Sequence, residues 1–271
     1  MRLLERAVSP NPARAAVERY WLLFTPVWAG TVGAVMLGGF AERWGDAPCM
    51  LLGAGMAAGA LAPPVLWPHA SERDLPWWDR AAAKCALAVL LLAFGLNYTQ
   101  TPFFYDVLHM HYGFQTTWNI ANNPFFLYLL SSAYFATYFS LCSMTLRLMR
   151  GAGPLAWLLA PLAMAFLETA LNANPWMTRL FCYDDLPFML GFGTLAYGMA
   201  FVWALPAWMR IDEGGPRSTW AQVAVWTFAA LYADLLTLDL LRFHVAPHFT
   251  TVVAGANGLR DYGASCLAPP L

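Results

Sequence analysis

The stretch Gly153–Trp176, GPLAWLLAPLAMAFLETALNANPW, decides the fold. Its first part is an almost unbroken apolar run. Near its end it places Glu168, Asn172 and Asn174. A run of about 20 mostly apolar residues is the length that crosses a bilayer as a helix. A carboxylate inside such a run is expensive and is kept for a reason.

Composition extends this reading to the whole chain. The 271 residues are 59% hydrophobic and 11% charged, against about 25% charged in a soluble domain. Too little charge is present to cover a water-facing surface, so the expected solvent is lipid. Seven apolar segments begin near Tyr20, Cys49, Ala83, Pro124, Pro154, Leu186 and Thr219. Each ends at a cluster of Pro, Gly, Arg or acidic residues. The expected fold is all-α: a polytopic membrane protein of about seven transmembrane helices in one bundle, a single domain over residues 1–271. Residues 1–19, polar and without a signal-peptide core, are expected to form a cytoplasmic tail, and residues 244–271 a non-cytoplasmic one.

Arginine and lysine set the orientation. Arg2, Arg6, Arg14 and Arg19, with Arg73, Arg80, Lys84, Arg147, Arg150, Arg210 and Arg217, fall on one side. Arg43, Arg179, Arg242 and Arg260 fall on the other. Eleven against four predicts a cytoplasmic N-terminus and a C-terminus on the opposite side.

With a topology, polar residues acquire depths at ~1.5 Å per residue. Asn97 in the third segment, Glu168 in the fifth and Asp234 in the seventh all reach ~21–22 Å from the start of their spans. Asn122, Asn123, Asn172, Asn174 and Asp239 lie nearer that same surface, and no comparable set is expected in the inner half. This shared layer predicts one water-poor cavity in the outer half of the membrane. Glu168 and Asn172, four apart, share a helix face. Asp239 and Arg242, three apart, can pair. No cation lies within a turn of Glu168, and burial favours the uncharged carboxyl, so Glu168 is the candidate proton donor.

Several chemistries are excluded. A net charge of -1 suggests no nucleic-acid partner. The five cysteines form no CxxC pair and suggest neither a disulfide framework nor a zinc site. His109 and His111 are the only close histidine pair, too few for a di-iron cluster, so no metal is expected. GAGMAAG (Gly53–Gly59) follows no strand and reads as close helix packing rather than a nucleotide loop. The only lysine, Lys84, stands at a helix start, where a retinal protein would need one deep in its last helix. What remains is cofactor-free acid–base chemistry on a lipid, or binding and transport of one.

At this point several stretches resemble one family, the cycloeucalenol cycloisomerases. They are NPARAAVERYWLLFTPVW (Asn11–Trp28), NYTQTPFF (Asn97–Phe104), TTWNIANNPFF (Thr116–Phe126) and SMTLRLMR (Ser143–Arg150). FLETALNAN (Phe166–Asn174), LPAWMRIDE (Leu205–Glu213) and LDLLRF (Leu238–Phe243) continue the set in order. Where that family carries histidines, this chain has Pro102 and, in its fourth span, Asn123, Pro124 and Tyr138, which moves the expected acid to a carboxyl. The resemblance implies an isomerase, an intramolecular lyase that opens the 9β,19-cyclopropane ring of a sterol and leaves an 8,9 double bond. It implies a sterol substrate and membrane lipids as partners, with no nucleotide and no cofactor.

The chemistry asks for an acid, a base and a cation-tolerant wall. Glu168 is the expected acid, with Asp234, Asp239 or the Glu168 carboxylate itself as base. Tyr98, Trp118, Trp176 and Tyr197 are candidate ring faces for the cation. Asn97, Asn122, Asn172, Asn174 and Arg242 are candidates for orienting the acid or gripping the sterol hydroxyl. The alternatives are a non-catalytic sterol-binding carrier and a proton-coupled lipid transporter, although no inverted repeat is visible.

Overall fold

The computed structural model describes residues 6–249. Its helices α1 (Pro12–Leu37), α2 (Asp46–Leu66), α3 (Ala81–Asp106), α4 (Phe125–Leu148) and α5 (Ala156–Asn172) follow one another in chain order. Two more complete the set, α6 (Leu186–Trp208) and α7 (Trp220–His248), and all seven, the fifth counted with the turn before it from Gly151, are long and apolar enough to cross a membrane. The first turns of α6 carry a π-helical segment at Met189–Gly193, and α7 passes into another at Leu241–Val245.

The starts are written in local chemistry. Asn11 caps α1 by accepting from the Ala13 and Arg14 amides, with Pro12 in the first turn. This satisfies backbone donors that have no partner within the helix. Thr219 and Gln222 form a reciprocal capping box at the start of α7. Asp185 caps α6 through the Phe188 amide at 2.9 Å.

Two boundaries differ from the sequence reading. α1 begins at Pro12 rather than near Tyr20, so most of the second half of the expected 1–19 tail is helix. Its polar residues Arg14 and Glu18 are buried against other helices, which lets the helix run on beyond the apolar stretch. At the other end, α7 continues to His248, into the expected 244–271 tail. Arg2, Arg260 and Cys266 lie outside the described residues.

α4 is the axis of the bundle. It packs against α1, α2, α3, α5 and α6, and 78% of its apolar window is buried. Gly53 lets α2 come close to it: a Cβ there would stand 2.5 Å from the Phe126 carbonyl oxygen. At the distal end, away from the start of α1, the loops form two small sheets. Strand β1 (Met110–Tyr112) pairs antiparallel with β4 (Phe181–Tyr183), with His111 opposite Cys182. β2 (Asn119–Ile120) pairs with β3 (Asn123–Pro124) around Ala121 and Asn122, both left-handed at φ 51° and 59°. Cys182 is disulfide-bonded, which the cysteine spacing did not suggest.

The proximal end overturns the expectation that buried polar groups belong to one half only. Arg147 on α4 grips Glu18 of α1 through Nη1 at 2.7 Å and Nη2 at 2.8 Å. It also donates from Nε and Nη2 to Glu213 at 2.6 and 2.8 Å. Arg14 Nε joins the same two carboxylates at 3.2 and 3.1 Å. Beside them Lys84 Nζ meets Asp212 at 2.5 Å. Three cations thus face three anions, nearly all of them shut away from solvent. Depth counted along single helices treats Arg14, Lys84 and Arg147 as surface charge; packing turns them inward, where each finds a partner.

Candidate functional site

Between α1, α3, α4, α5 and α6, under the β1–β4 sheet, lies a cavity of about 420 Å³. That volume is in the range of small-molecule sites, about 300–1,000 Å³. Its wall is mostly apolar and aromatic. Trp28 and Gly33 come from α1, Tyr134, Phe135 and Tyr138 from α4, and Tyr112 and Tyr183 from the sheet above. Burial raises the hydroxyl pKa of Tyr112 and Tyr183 above the ordinary tyrosine value, so both stay protonated and able to donate.

Glu168 is the only carboxylate among the described residues that border the cavity, and no cation borders it. α5 carries it four residues before its end. The Tyr197 hydroxyl, arriving from α6, donates to Glu168 Oε2. Tyr197 is itself fixed by edge-on contacts with Phe104 and Phe201, at 5.9 and 5.2 Å between ring centres. A neutral carboxyl held through Oε2 presents its own proton at Oε1. The rings of Tyr134 and Tyr138, 5.6 Å apart, border the same cavity, with Trp28 6.0 Å from Tyr134. The arrangement can hand a proton to a ligand in a space walled largely by apolar groups and π faces.

Asn172 and Asn174 border the same cavity. Their amides serve the end of α5: Asn172 donates to the Glu168 carbonyl at 3.1 Å, and Asn174 to the Ala170 and Leu171 carbonyls at 3.1 and 2.6 Å. Trp176 stands at the rim, 82% exposed. Asn97 borders the cavity but is fully engaged with its neighbours. It donates to the Ala93 carbonyl and Ser131 Oγ at 2.7 and 2.8 Å and accepts from Asn123 at 2.8 Å.

Other expected members lie elsewhere. Tyr98 and Trp118 are more than half exposed and border no part of the cavity, and Asn122 is exposed on the β2–β3 turn. Asp239 is exposed on α7. Its expected pairing with Arg242 is replaced, because Arg242 reaches Asp106 at the end of α3, at 2.7 Å. Asp106 is buried and offers a partner in a drier place than Asp239 does. Asp234 is 1% exposed but sits behind the cavity wall, where it accepts from Gln100.

The sequence reading missed Gln100, Thr101, Tyr112, Tyr134 and Tyr183 as wall residues. A signal for two of them was present: Asn97, Gln100, Thr101 and Phe104 follow the i, i+3, i+4, i+7 spacing of one helix face.

Comparison with known proteins agrees with the resemblance read from the motifs. The chain is 29% identical to the cycloeucalenol cycloisomerase of Arabidopsis thaliana over 258 residues, covering 89% of each chain. The similarity covers most of the chain and relates it to an isomerase. No protein-family model matches it, and no solved structure matches it.

Proposed function

We propose that this chain is a cofactor-independent sterol isomerase that opens a 9β,19-cyclopropane ring and leaves an 8,9 double bond. The observation that carries the proposal is Glu168: the one carboxylate among the described lining residues, held by Tyr197, in the wall of a mostly apolar and aromatic cavity of ligand size. The name of the Arabidopsis relative supports a sterol of the cycloeucalenol type as the substrate.

In the first step the Glu168 O–H bond breaks as the electron pair of the C9–C19 bond takes the proton. C19 becomes a methyl group and C9 a tertiary cation. In the second step the C8–H bond breaks, its electron pair forms the C8=C9 double bond, and the proton returns to the Glu168 carboxylate. The carboxyl is regenerated and no redox equivalent is consumed. Of the three bases considered from sequence, Asp239 faces outward and Asp234 lies behind Gln100, which leaves the Glu168 carboxylate as the base proposed here. Both transfers then use the same face of the ring system. The aromatic wall contributes roughly 0.5–2 kcal/mol per ring to holding the cation, and exclusion of water protects it from hydration.

The test is a reaction in heavy water with the protein in molar excess over a cyclopropyl sterol. One deuterium should appear in the new C19 methyl group. Product carrying no label, or cyclopropyl sterols recovered unchanged, would overturn the reading.

A further inference from the structure

The cavity has an open side. Leu37 at the end of α1 and Leu171 near the end of α5 border it, yet they are 67% and 59% exposed. Ala29 of α1 borders it and is exposed as well. A residue that lines a cavity and also faces outward stands at the cavity's edge. These edges belong to two helices that are not packed on each other: α1 packs on α2, α3 and α4, and α5 on α4 and α6. Glycine in a membrane span commonly lets a neighbouring helix come close, as Gly53 does. Gly33 has the opposite effect. It borders the cavity, and a Cβ there would meet nothing within 4 Å, so the missing side chain leaves the gap wide.

The gap lies at the depth of the hydrocarbon. Thr25 Oγ1 and the Trp28 indole nitrogen both meet Thr137 Oγ1 at 2.9 Å, and Thr137 stands midway along α4 (Phe125–Leu148). Ala29, one turn beyond Thr25, is therefore close to the middle of the bundle. Leu37 is the last residue of α1. Between them the mouth runs for ~12 Å at ~1.5 Å per residue. Trp28, tied to Thr137, marks its proximal end. Trp176 stands exposed at the distal rim, the level at which aromatic residues meet the membrane surface. Apart from Glu168, no charged side chain among the described residues borders the cavity, so an apolar molecule arriving from the side meets no ionic barrier.

We infer that the cavity opens sideways into the bilayer between α1 and α5, in the distal half of the bundle. Its ligand is a lipid already dissolved in the membrane, which enters by this mouth without crossing water. The inference rests on the sterol reading above for the kind of lipid, and on the mouth alone for the route. A lipid that moves from acyl chains into an apolar cavity exchanges one water-free surrounding for another, so burial of apolar surface contributes little to selection. Selection falls to the shape of the aromatic wall.

The test uses the purified full chain in lipid nanodiscs that contain a phospholipid with a diazirine near the end of one acyl chain. Tyr138 is 7% exposed and borders the cavity, so a lipid tail reaches it through the mouth. After illumination, mass spectrometry should find acyl-chain adducts on the α4 peptide that holds Tyr134 and Tyr138. A saturating sterol without a cyclopropane ring should remove them. A water-soluble diazirine should leave the same peptide unlabelled. Ala29→Trp, which narrows the mouth, should lose the lipid adducts and slow uptake of the sterol; Leu23→Trp, on another face of α1, should change neither. Labelling of this peptide from water but not from lipid overturns the inference, as does absence of lipid adducts in the unaltered chain, and neither result needs a variant to fold. Lipid adducts that the sterol fails to displace overturn the sterol as occupant. Displaceable adducts in a chain that does not open a cyclopropyl sterol support the mouth and remove only the isomerase reading.

Discussion

Tyr197 on α6 donates its hydroxyl hydrogen to Oε2 of Glu168 on α5, so one oxygen of the carboxyl is tied to the bundle and the other is left to the cavity. The hydroxyl is aimed by ring contacts on both sides. The pair therefore joins packing to chemistry: edge-on ring contacts fix Tyr197, Tyr197 fixes the carboxyl, and the carboxyl borders the ligand space.

Replacing Glu168 with Gln keeps an oxygen to accept from Tyr197 and removes the transferable proton. Turnover of a cyclopropyl sterol should fall by about 10²–10⁴ or more, with a folded yield equal to that of the parent chain. Product analysis beside size-exclusion chromatography checks both. A variant that works within a few-fold of the parent rate would discard Glu168 as the acid.

Tyr197→Phe retains the ring contacts with Phe104 and Phe201 but leaves the carboxyl unheld. Stability should drop by about 1 kcal/mol, the worth of one hydrogen bond, and kcat by roughly tenfold, because a mobile acid meets carbon less often in line. Steady-state kinetics in nanodiscs would show it, and an unaltered kcat would argue that the tyrosine has no part in orienting the acid.

Gly33 of α1 borders the cavity, and a Cβ built there meets nothing within 4 Å. Gly33→Trp should therefore fill ligand space without disturbing helix packing. The expected outcome is loss of sterol binding with thermal stability close to that of the parent. Normal binding in this variant would show that the ligand lies elsewhere.

Arg147 carries the proximal ion cluster. Arg147→Met leaves Glu18 and Glu213 short of a buried partner, and breaking a buried pair in this way costs about 3–5 kcal/mol. Thermal unfolding in detergent should shift clearly downward. A melting temperature within experimental error of the parent would mean that the cluster is better hydrated than its burial implies.

That cluster also shows what resemblance alone hides. NPARAAVERY supplies Arg14 and Glu18, SMTLRLMR supplies Arg147, and LPAWMRIDE supplies Asp212 and Glu213. In the folded chain these three stretches meet with Lys84 at one end of the bundle, remote from Glu168 and its cavity. Read as sequence they carry the resemblance and no assigned role; in three dimensions they clamp α1, α3 and α4 to the α6–α7 connection.

The number and approximate starts of the spans could be read from the sequence; of the three residues expected at one level, Asn97 and Glu168 border one cavity and Asp234 does not. A helix in lipid satisfies its backbone within itself, so length and apolarity mark each span without reference to its neighbours. What the tertiary structure decided was partnership. Asp239 and Arg242 are correctly spaced to meet, yet Arg242 turns to Asp106; Asp234 reaches Gln100 rather than the ligand space; Tyr98 and Trp118 face outward. Distance along a helix gives depth, but the rotation of each helix about its axis is set by how its neighbours pack, and that rotation determines which polar group meets which.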